Sequence, residues 1–398
     1  MRIITFVLTI AIVLTYFLFF SIPRMDTTIH KLSGPDDRNT AARNDFVHQR
    51  VNSSKYNMDQ ERYNTEQTVF SSSLRKEKDT WIPLTQTERN AYNEKEKLVC
   101  GKPFMHCCLG QGRQLKTVHE DISQLYVKWS KPLASLTTLL DYMSQNRIPC
   151  NLWFFGMSLS GDQTIGALCE LMRDGGYKLD EVQCIPYENE RWNEKDALKK
   201  CSMDKFGMPT GQYYQLTNPN RTSCPLAHDG PKTVPQKRSF LFVKQGGLMI
   251  INQGVHCNIP GCVSETLGNL LTEEFLSMAE ENQWKVLYRE TERQHFATPN
   301  GYHKVGVSMN KCCAIQEEES DFRNDEAREF LQNLTFKWTT KKKRIPIISL
   351  GRATIPLYFM HGFDIERQTY DCTHYVYSPW RFELTWDGIL TGLKYYLQ

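Results

Sequence analysis

The chain has 398 residues, 40% of them hydrophobic and 12% aromatic, enough apolar surface for a substantial core, which excludes wholesale disorder. Its 48 Lys and Arg against 45 Asp and Glu leave a formal charge of +3, too weak a field to make nucleic acid an expected partner. With 23 glycines and a mean hydropathy of −0.50 it is neither collagen-like nor a polytopic membrane protein.

From Ile3 to Ile22 the sequence runs without a charge for twenty residues, the length a helix needs to cross a hydrocarbon layer of ~30 Å. Ser21-Ile22-Pro23-Arg24 offers no small-residue cleavage site, so the run predicts a signal anchor rather than a removed leader. Residues 1–2 then form a minimal cytoplasmic tail, and everything after the span lies on one side of the membrane, a single-pass type II arrangement. Arg2 and Arg24 flank the span on opposite sides and carry little orientation information. Residues 23–95 are polar and lack any sustained apolar period, as expected of a flexible stem, and residues 96–398 form the predicted body.

Thirteen cysteines, all between Cys100 and Cys372, point to an oxidising lumen, in the Golgi or another secretory-pathway membrane. Sequons at Asn52, Asn220 and Asn333 agree. The odd count leaves at least one thiol unpaired or bonded to a second chain, and Cys107-Cys108 and Cys312-Cys313 can each send bridges in two directions. His106-Cys107-Cys108 lacks a C-x2-C partner, so no metal site is expected.

Within the body, residues 151–155 read as a buried strand, Gly156 permits a sharp turn, and Ile165, Leu168, Cys169, Leu171 and Met172 form a helical stripe closed by Gly175-Gly176. Further strands are predicted at 240–243, 248–252, 285–288 and 345–349, and helices at about 266–281 and 325–334. Strands alternating with helices predict a three-layer α/β/α domain with a mainly parallel sheet, whose chemistry belongs beyond the carboxyl ends of the strands.

At the first such end stands Phe155-Gly156-Met157-Ser158-Leu159-Ser160. A serine there exposes its hydroxyl at the sheet edge, beside the first free amides of the following helix. Taken alone, Ser158 would more simply cap a helix beginning near Asp162. Near the other terminus lies Asp371-Cys372-Thr373-His374, which can supply from one loop a general base and the carboxylate that orients it. Other features have blander readings: Lys341 to Arg344 as a solvated face, Trp380 and Trp386 as core, His256 and His295 as satisfied structural residues, and Asp387 without a role. Absence of a P-loop and of a D-x-D motif after the stem disfavours phosphoryl transfer and glycosyl transfer.

The G-x-S turn with Ser158, followed by Ser160, Gln163 and Leu168-Cys169-Glu170-Leu171 and by the distant D-C-T-H, resembles the PC-esterase branch of the GDSL/SGNH hydrolases. That branch includes the trichome-birefringence-like polysaccharide O-acetyltransferases, the sialate O-acetyltransferase and neurexophilin-like domains. Ile250 to His256, Arg289-Glu290-Thr291 and Gln294-His295-Phe296 look like its intermediate landmarks, and the likeness covers roughly residues 150–398. It implies an SGNH-hydrolase-like fold with Ser158 as nucleophile, His374 as general base and Asp371 as its orienting carboxylate. It also implies an oxyanion hole built from the Ser158 amide, the Asn252 side chain and the Gly254 amide, although Asn252 reads equally well as a strand-end turn residue. Met157 stands where the family has aspartate, a departure that opens the reading of an inactive member.

The resulting expectation is serine-dependent acyl transfer, acetyl by preference, to or from glycan hydroxyls through an acyl-enzyme. No bound cofactor is expected, and the acetyl donor would be acetyl-CoA or another acyl ester. The expected partners are a glycan or glycoconjugate substrate and, through residues 3–22, a membrane. The alternative is a catalytically inactive glycan- or protein-binding protein of the same fold.

Overall fold

A computed structural model describes residues 80–100, 117–118, 122–184, 211–229, 246–304, 306–307, 309–315, 321–334, 344–364 and 368–397. All fall within one unit, Thr65–Gln398. The expected membrane span, the basic run 341–343, the strand at 240–243, and Asn52, His106, Cys107 and Cys108 lie outside the described residues. No described helix is long and apolar enough to cross a membrane.

The described chain opens with β1 (Trp81–Pro83) and α1 (Gln86–Cys100), followed by β2 (Thr117–Val118) and β3 (Val127–Trp129). Next comes α2 (Leu136–Gln145), capped by Ser135, whose hydroxyl accepts the Thr138 amide at 3.2 Å. β4 (Leu152–Gly156) leads into α3 (Ser158–Arg173), and β5 (Lys178–Cys184), β6 (Gly211–Thr217), β7 (Leu226–Asp229) and β8 (Gly247–Asn252) follow. The chain continues through α4 (Cys262–Leu270), α5 (Glu273–Glu281), β9 (Trp284–Arg289), α6 (Phe322–Asn333) and β10 (Ile347–Ile348). A 3-10 turn (Ile355–Met360), β11 (His361–Asp364), β12 (Thr369–Tyr375) and α7 (Pro379–Leu397) complete it.

Seven strands form one sheet in the order β10-β9-β8-β4-β7-β6-β5. Pairing is parallel from β10 to β7 and antiparallel where β6 joins β7 and β5. Successive side chains of a strand point to opposite faces, and here each face meets its own core. Leu152 and Phe154 of β4, Leu248 and Ile250 of β8 and Leu287 of β9 pack with the apolar stripes of α2, α3 and α7. Trp153 and Phe155, Met249 and Ile251, and Val286 and Tyr288 pack instead with α4, α5 and α6. The sheet is therefore covered by helices on both sides, which is why its central strands read as unbroken apolar runs. The chain leaves β4 toward β5 on one side of the sheet and leaves β8 toward β9 on the other, so a switch point lies between β4 and β8, and ligands of open α/β sheets bind at such a point.

Several elements depart from the sequence reading. Helix α3 begins at Ser158, four residues before Asp162. The single helix expected over 266–281 is two, because Thr272 accepts the Phe275 amide at 3.2 Å and starts a new helix while Leu271 leaves helical geometry. Residues 80–94, assigned to the stem, belong to the body: Trp81 packs edge-on against Trp129 at 5.3 Å, and Leu84 and Tyr92 join a small core with Leu125, Tyr126, Leu357, Met360 and Tyr375.

Among the described residues three disulfides are formed, Cys150–Cys224, Cys257–Cys262 and Cys312–Cys372. Of the adjacent pair, Cys312 reaches Cys372 while Cys313 keeps its thiol. Asn220 is exposed in the turn after β6, and Asn333 is exposed at the end of α6.

Candidate active site

The turn that carries Ser158 is dictated by Gly156. Its φ of +152° is a conformation side chains rarely adopt, and a β-carbon there would lie 2.1 Å from the Asn252 carbonyl oxygen. The chain passes this point, extends through Met157, and enters α3 with Ser158 as the first helical residue. The amides of Ser158 and Leu159 have no carbonyl one turn earlier, while those of Ser160 and Gly161 already reach the Met157 carbonyl at 2.9 and 3.3 Å. A partial positive charge thus faces the hydroxyl of Ser158.

Met157 occupies the N-cap, and its side chain makes no capping hydrogen bond. An aspartate there would accept one of the orphan amides and complement the helix dipole. Met157→Asp is expected to stabilise the protein by about 1 kcal/mol, raising Tm by roughly 2–4 °C in a thermal melt. An unchanged Tm would show that the turn geometry does not admit the cap.

His374 reaches this serine from 216 residues away, its Nε2 lying 2.7 Å from Ser158 Oγ. Its Nδ1 lies 2.8 Å from Asp371 Oδ2. The other carboxylate oxygen of Asp371 accepts the amides of Thr373 and His374, each at 3.2 Å. Burial alone would raise the Asp371 carboxyl, but the imidazole and the two amides outweigh it and hold the group well below the usual carboxylate range. Asp371 is therefore ionised at neutral pH, as an acceptor that fixes the proton on Nδ1 and leaves Nε2 facing the hydroxyl must be.

Asp371 and His374 stand on strand β12, not on a loop, and a regular strand would send positions three apart to opposite faces. An irregularity resolves this. Phe363 pairs with Tyr370 and His361 with Tyr375, so two steps along β11 face five along β12, and the surplus lies at Asp371–His374. The bulge turns the carboxylate back onto the ring. The Cys312–Cys372 disulfide ties the same segment from within.

Asn252 departs from the expected donor role. It ends β8 opposite Gly156 and is fully buried, and its Nδ2 donates to the Arg289 carbonyl at 2.9 Å and to Thr291 Oγ1 at 3.1 Å. Both amide protons are spent, and a flipped amide would set its oxygen against the Arg289 carbonyl. A β-carbon at Gly254 would lie 3.2 Å from Thr291 Oγ1 and 3.3 Å from the Val263 side chain. The amides of Ser158 and Leu159, open at the start of α3, are available to an oxyanion formed beside Ser158.

The residues that build the site's floor were not singled out as such by sequence. From Arg289 to His295 seven consecutive polar or charged residues are almost completely buried, and buried charge persists only when paired. Glu290 pairs with Arg328 and accepts the Leu350 and Gly351 amides, each at 3.0 Å. Glu292 receives Arg381 at 2.6 Å and lies 3.6 Å from Arg289. Gln294 accepts from Arg323 at 2.9 Å and donates at 2.9 Å to Thr373, inside the Asp371–His374 segment. Arg323 also donates to the Cys257 carbonyl at 2.7 Å, joining the Cys257–Cys262 loop to this brace. The signal available in the sequence was a charged run directly following an apolar strand with no glycine, proline or asparagine to start a turn.

His228, on β7, was also missed. Its partly buried ring lies against the backbone of Gly156 and Met157 and fits under α3 because Gly161 has no side chain, a β-carbon there coming within 3.3 Å of the ring. Burial lowers its pKa to about 4, so it is neutral at neutral pH. Asp162, one turn after Ser158, is pushed up by burial against the pull of His374 and Arg381.

The remaining candidates have structural roles or surface positions. Trp386 is core and donates to Glu170 at 2.8 Å, Trp380 packs on Tyr92 at 4.8 Å, and Asp387 accepts the Ala134 amide at 3.0 Å. His256 is exposed and His295 is buried. Among the described residues no group of three or more His, Cys, Asp or Glu could hold a metal ion. No known protein family, curated protein or solved structure matches this chain.

Proposed function

We propose that this chain is a serine-dependent acyl-transfer protein with an SGNH-hydrolase-like fold of the PC-esterase type, anchored through residues 3–22 in a secretory-pathway membrane with its body in the lumen. The observation that carries the reading is the continuous line from Asp371 through His374 to Ser158, with hydrogen bonds of 2.8 and 2.7 Å at the end of a central parallel strand. Ser158 Oγ attacks the acyl carbonyl of a donor ester or thioester while His374 Nε2 takes its proton, and the resulting imidazolium is stabilised by Asp371. The developing oxyanion faces the Ser158 and Leu159 amides. Collapse expels the alkoxide or thiolate with that proton and leaves an acylated serine. A glycan hydroxyl then gives its proton to His374 and takes the acyl group; water in the same place would give hydrolysis instead.

A second reading, an inactive glycan- or protein-binding member of the same fold, is favoured by the uncapped Met157 and by the committed amide of Asn252. Incubating the full chain with an activated acetyl ester and locating the adduct by mass spectrometry separates the two. The expected result is a single acetyl on Ser158 that transfers to an added oligosaccharide. No adduct, under conditions that acylate a serine esterase run alongside, would overturn the acyl-transfer reading and favour the binding one.

A further inference from the structure

Behind His374 lies a second line of imidazoles. His361 Nδ1 is 2.8 Å from the backbone carbonyl of His374, His361 Nε2 is 2.7 Å from His295 Nδ1, and His295 Nε2 is 2.8 Å from the Ile355 carbonyl. Both rings are buried, 3% and 0% exposed. A carbonyl only accepts, so the two outer contacts each require an N–H, one on His361 Nδ1 and one on His295 Nε2. A neutral imidazole has a single N–H, so two neutral rings making both outer bonds would meet at 2.7 Å lone pair to lone pair. Tyr375 does not relieve this: its hydroxyl donates to the Arg293 carbonyl at 2.6 Å and is 3.5 Å from His295 Nδ1. Three contacts are drawn, and two neutral rings supply protons for two.

We propose that His361 is a positioning residue for His374, and that it acts in one unit with His295 that takes up a single proton from solvent to close all three contacts onto the His374 carbonyl. Without that proton the unit opens at one of them. The function of the unit rests on the triad reading above; its proton count rests on geometry alone.

The groups facing the unit set where it titrates. From β12, Asp371 favours the added charge and a protonated His374 opposes it, while the Tyr375 ring lies 4.3 Å from that of His361. From the segment after β9, the Arg293 guanidinium opposes it, and the Ile355–Met360 turn contributes the Ile355 carbonyl. Burial is the largest influence and pushes both rings below the ordinary histidine value. The folded protein therefore binds this proton less tightly than the unfolded chain does: acidification completes the clamp while lowering global stability.

Two measurements on the full chain test this. With ring-15N histidine, the nitrogens of His295 and His361 are expected to shift together in one transition on the acid side of the ordinary histidine range, and His295→Asn should abolish the shared transition. Independent titrations, or fixed single tautomers from pH 8 to 4, would overturn the unit. The second measurement follows labelling of Ser158 by a fluorophosphonate against pH. His361→Leu should label about 10²-fold more slowly, because the carbonyl that sets the height of His374 is released. His361→Asn, whose amide can still donate to that carbonyl but cannot titrate, should recover much of the rate and lose the pH inflection of the unit. A His361→Leu rate equal to wild type at every pH would remove the positioning role, and if that variant fails to fold, His361→Asn and the ring titration decide. Should Ser158 of the wild type never label while the two rings still share a transition, the acyl-transfer reading falls and the two-histidine unit stands.

Discussion

Ser158→Ala is expected to lower turnover of an activated acetyl ester by about 10⁶-fold, and His374→Ala by a similar factor, with neither change disturbing the fold. The expectation follows from how the two side chains share one task. Serine is a poor nucleophile until a base can take its proton, and His374 Nε2 stands 2.7 Å from the Ser158 hydroxyl. Because the groups work as a unit, Ser158→Ala combined with His374→Ala should be no slower than either alone. Both positions are only partly buried, so alanine leaves little cavity, and circular dichroism and denaturant midpoints should stay near wild type. Residual turnover near wild type in either variant would rule out Ser158 chemistry, whatever the geometry suggests.

Gly156→Ala is expected to have the largest effect on stability of any single methyl added near the site. Its β-carbon would meet the Asn252 carbonyl oxygen at 2.1 Å and Ser160 Oγ at 2.6 Å, and the first of these is backbone held in register against Gly156 itself. The φ of +152° adds strain that no neighbour can relieve. Together these should cost about 3 kcal/mol or more, read as a fall in urea midpoint. Any protein that still folds should label at Ser158 about 10²-fold more slowly, since the turn that aims the hydroxyl has moved. Gly261→Ala supplies the comparison: its φ is also positive, +86°, but a β-carbon there meets nothing within 4 Å. That change should cost only about 1 kcal/mol. Equal costs at the two positions would mean that backbone conformation, and not the close approach of β4 and β8, sets the requirement.

The fold was legible where periodicity is strong. The strands at Leu152, Leu248 and Trp284 are buried on both faces and therefore read as unbroken apolar runs, and the helix after Ser158 showed its stripe. The antiparallel strands β5 and β6 mix Lys, Asp, Glu and Gln with single apolar residues, so their alternation is weak. Residues 80–94 were hidden for a related reason, since a few anchors such as Trp81, Leu84 and Tyr92 hold a segment whose average composition is that of a linker. In the site, Ser158, Asp371 and His374 could be singled out because nucleophile, base and carboxylate occupy a turn and a tight spacing that chemistry recognises. The surroundings could not: that Asn252 spends its amide on Arg289 and Thr291, or that His361 stands behind His374, is settled by long-range packing and leaves no local pattern.

Cys372 sits between the carboxylate and the imidazole, and its bond to Cys312 closes a loop of 60 residues, a constraint worth about 4 kcal/mol against the unfolded chain. The Ser158 turn is set by a glycine and a helix start, and the segment leading into it is tied by Cys150–Cys224. Both the strand that leads to the serine and the arm that brings its base are therefore pinned where thiols are oxidised. A copy of this protein held among reducing thiols would hold Asp371 and His374 on a loosened strand, with the approach to β4 loosened as well.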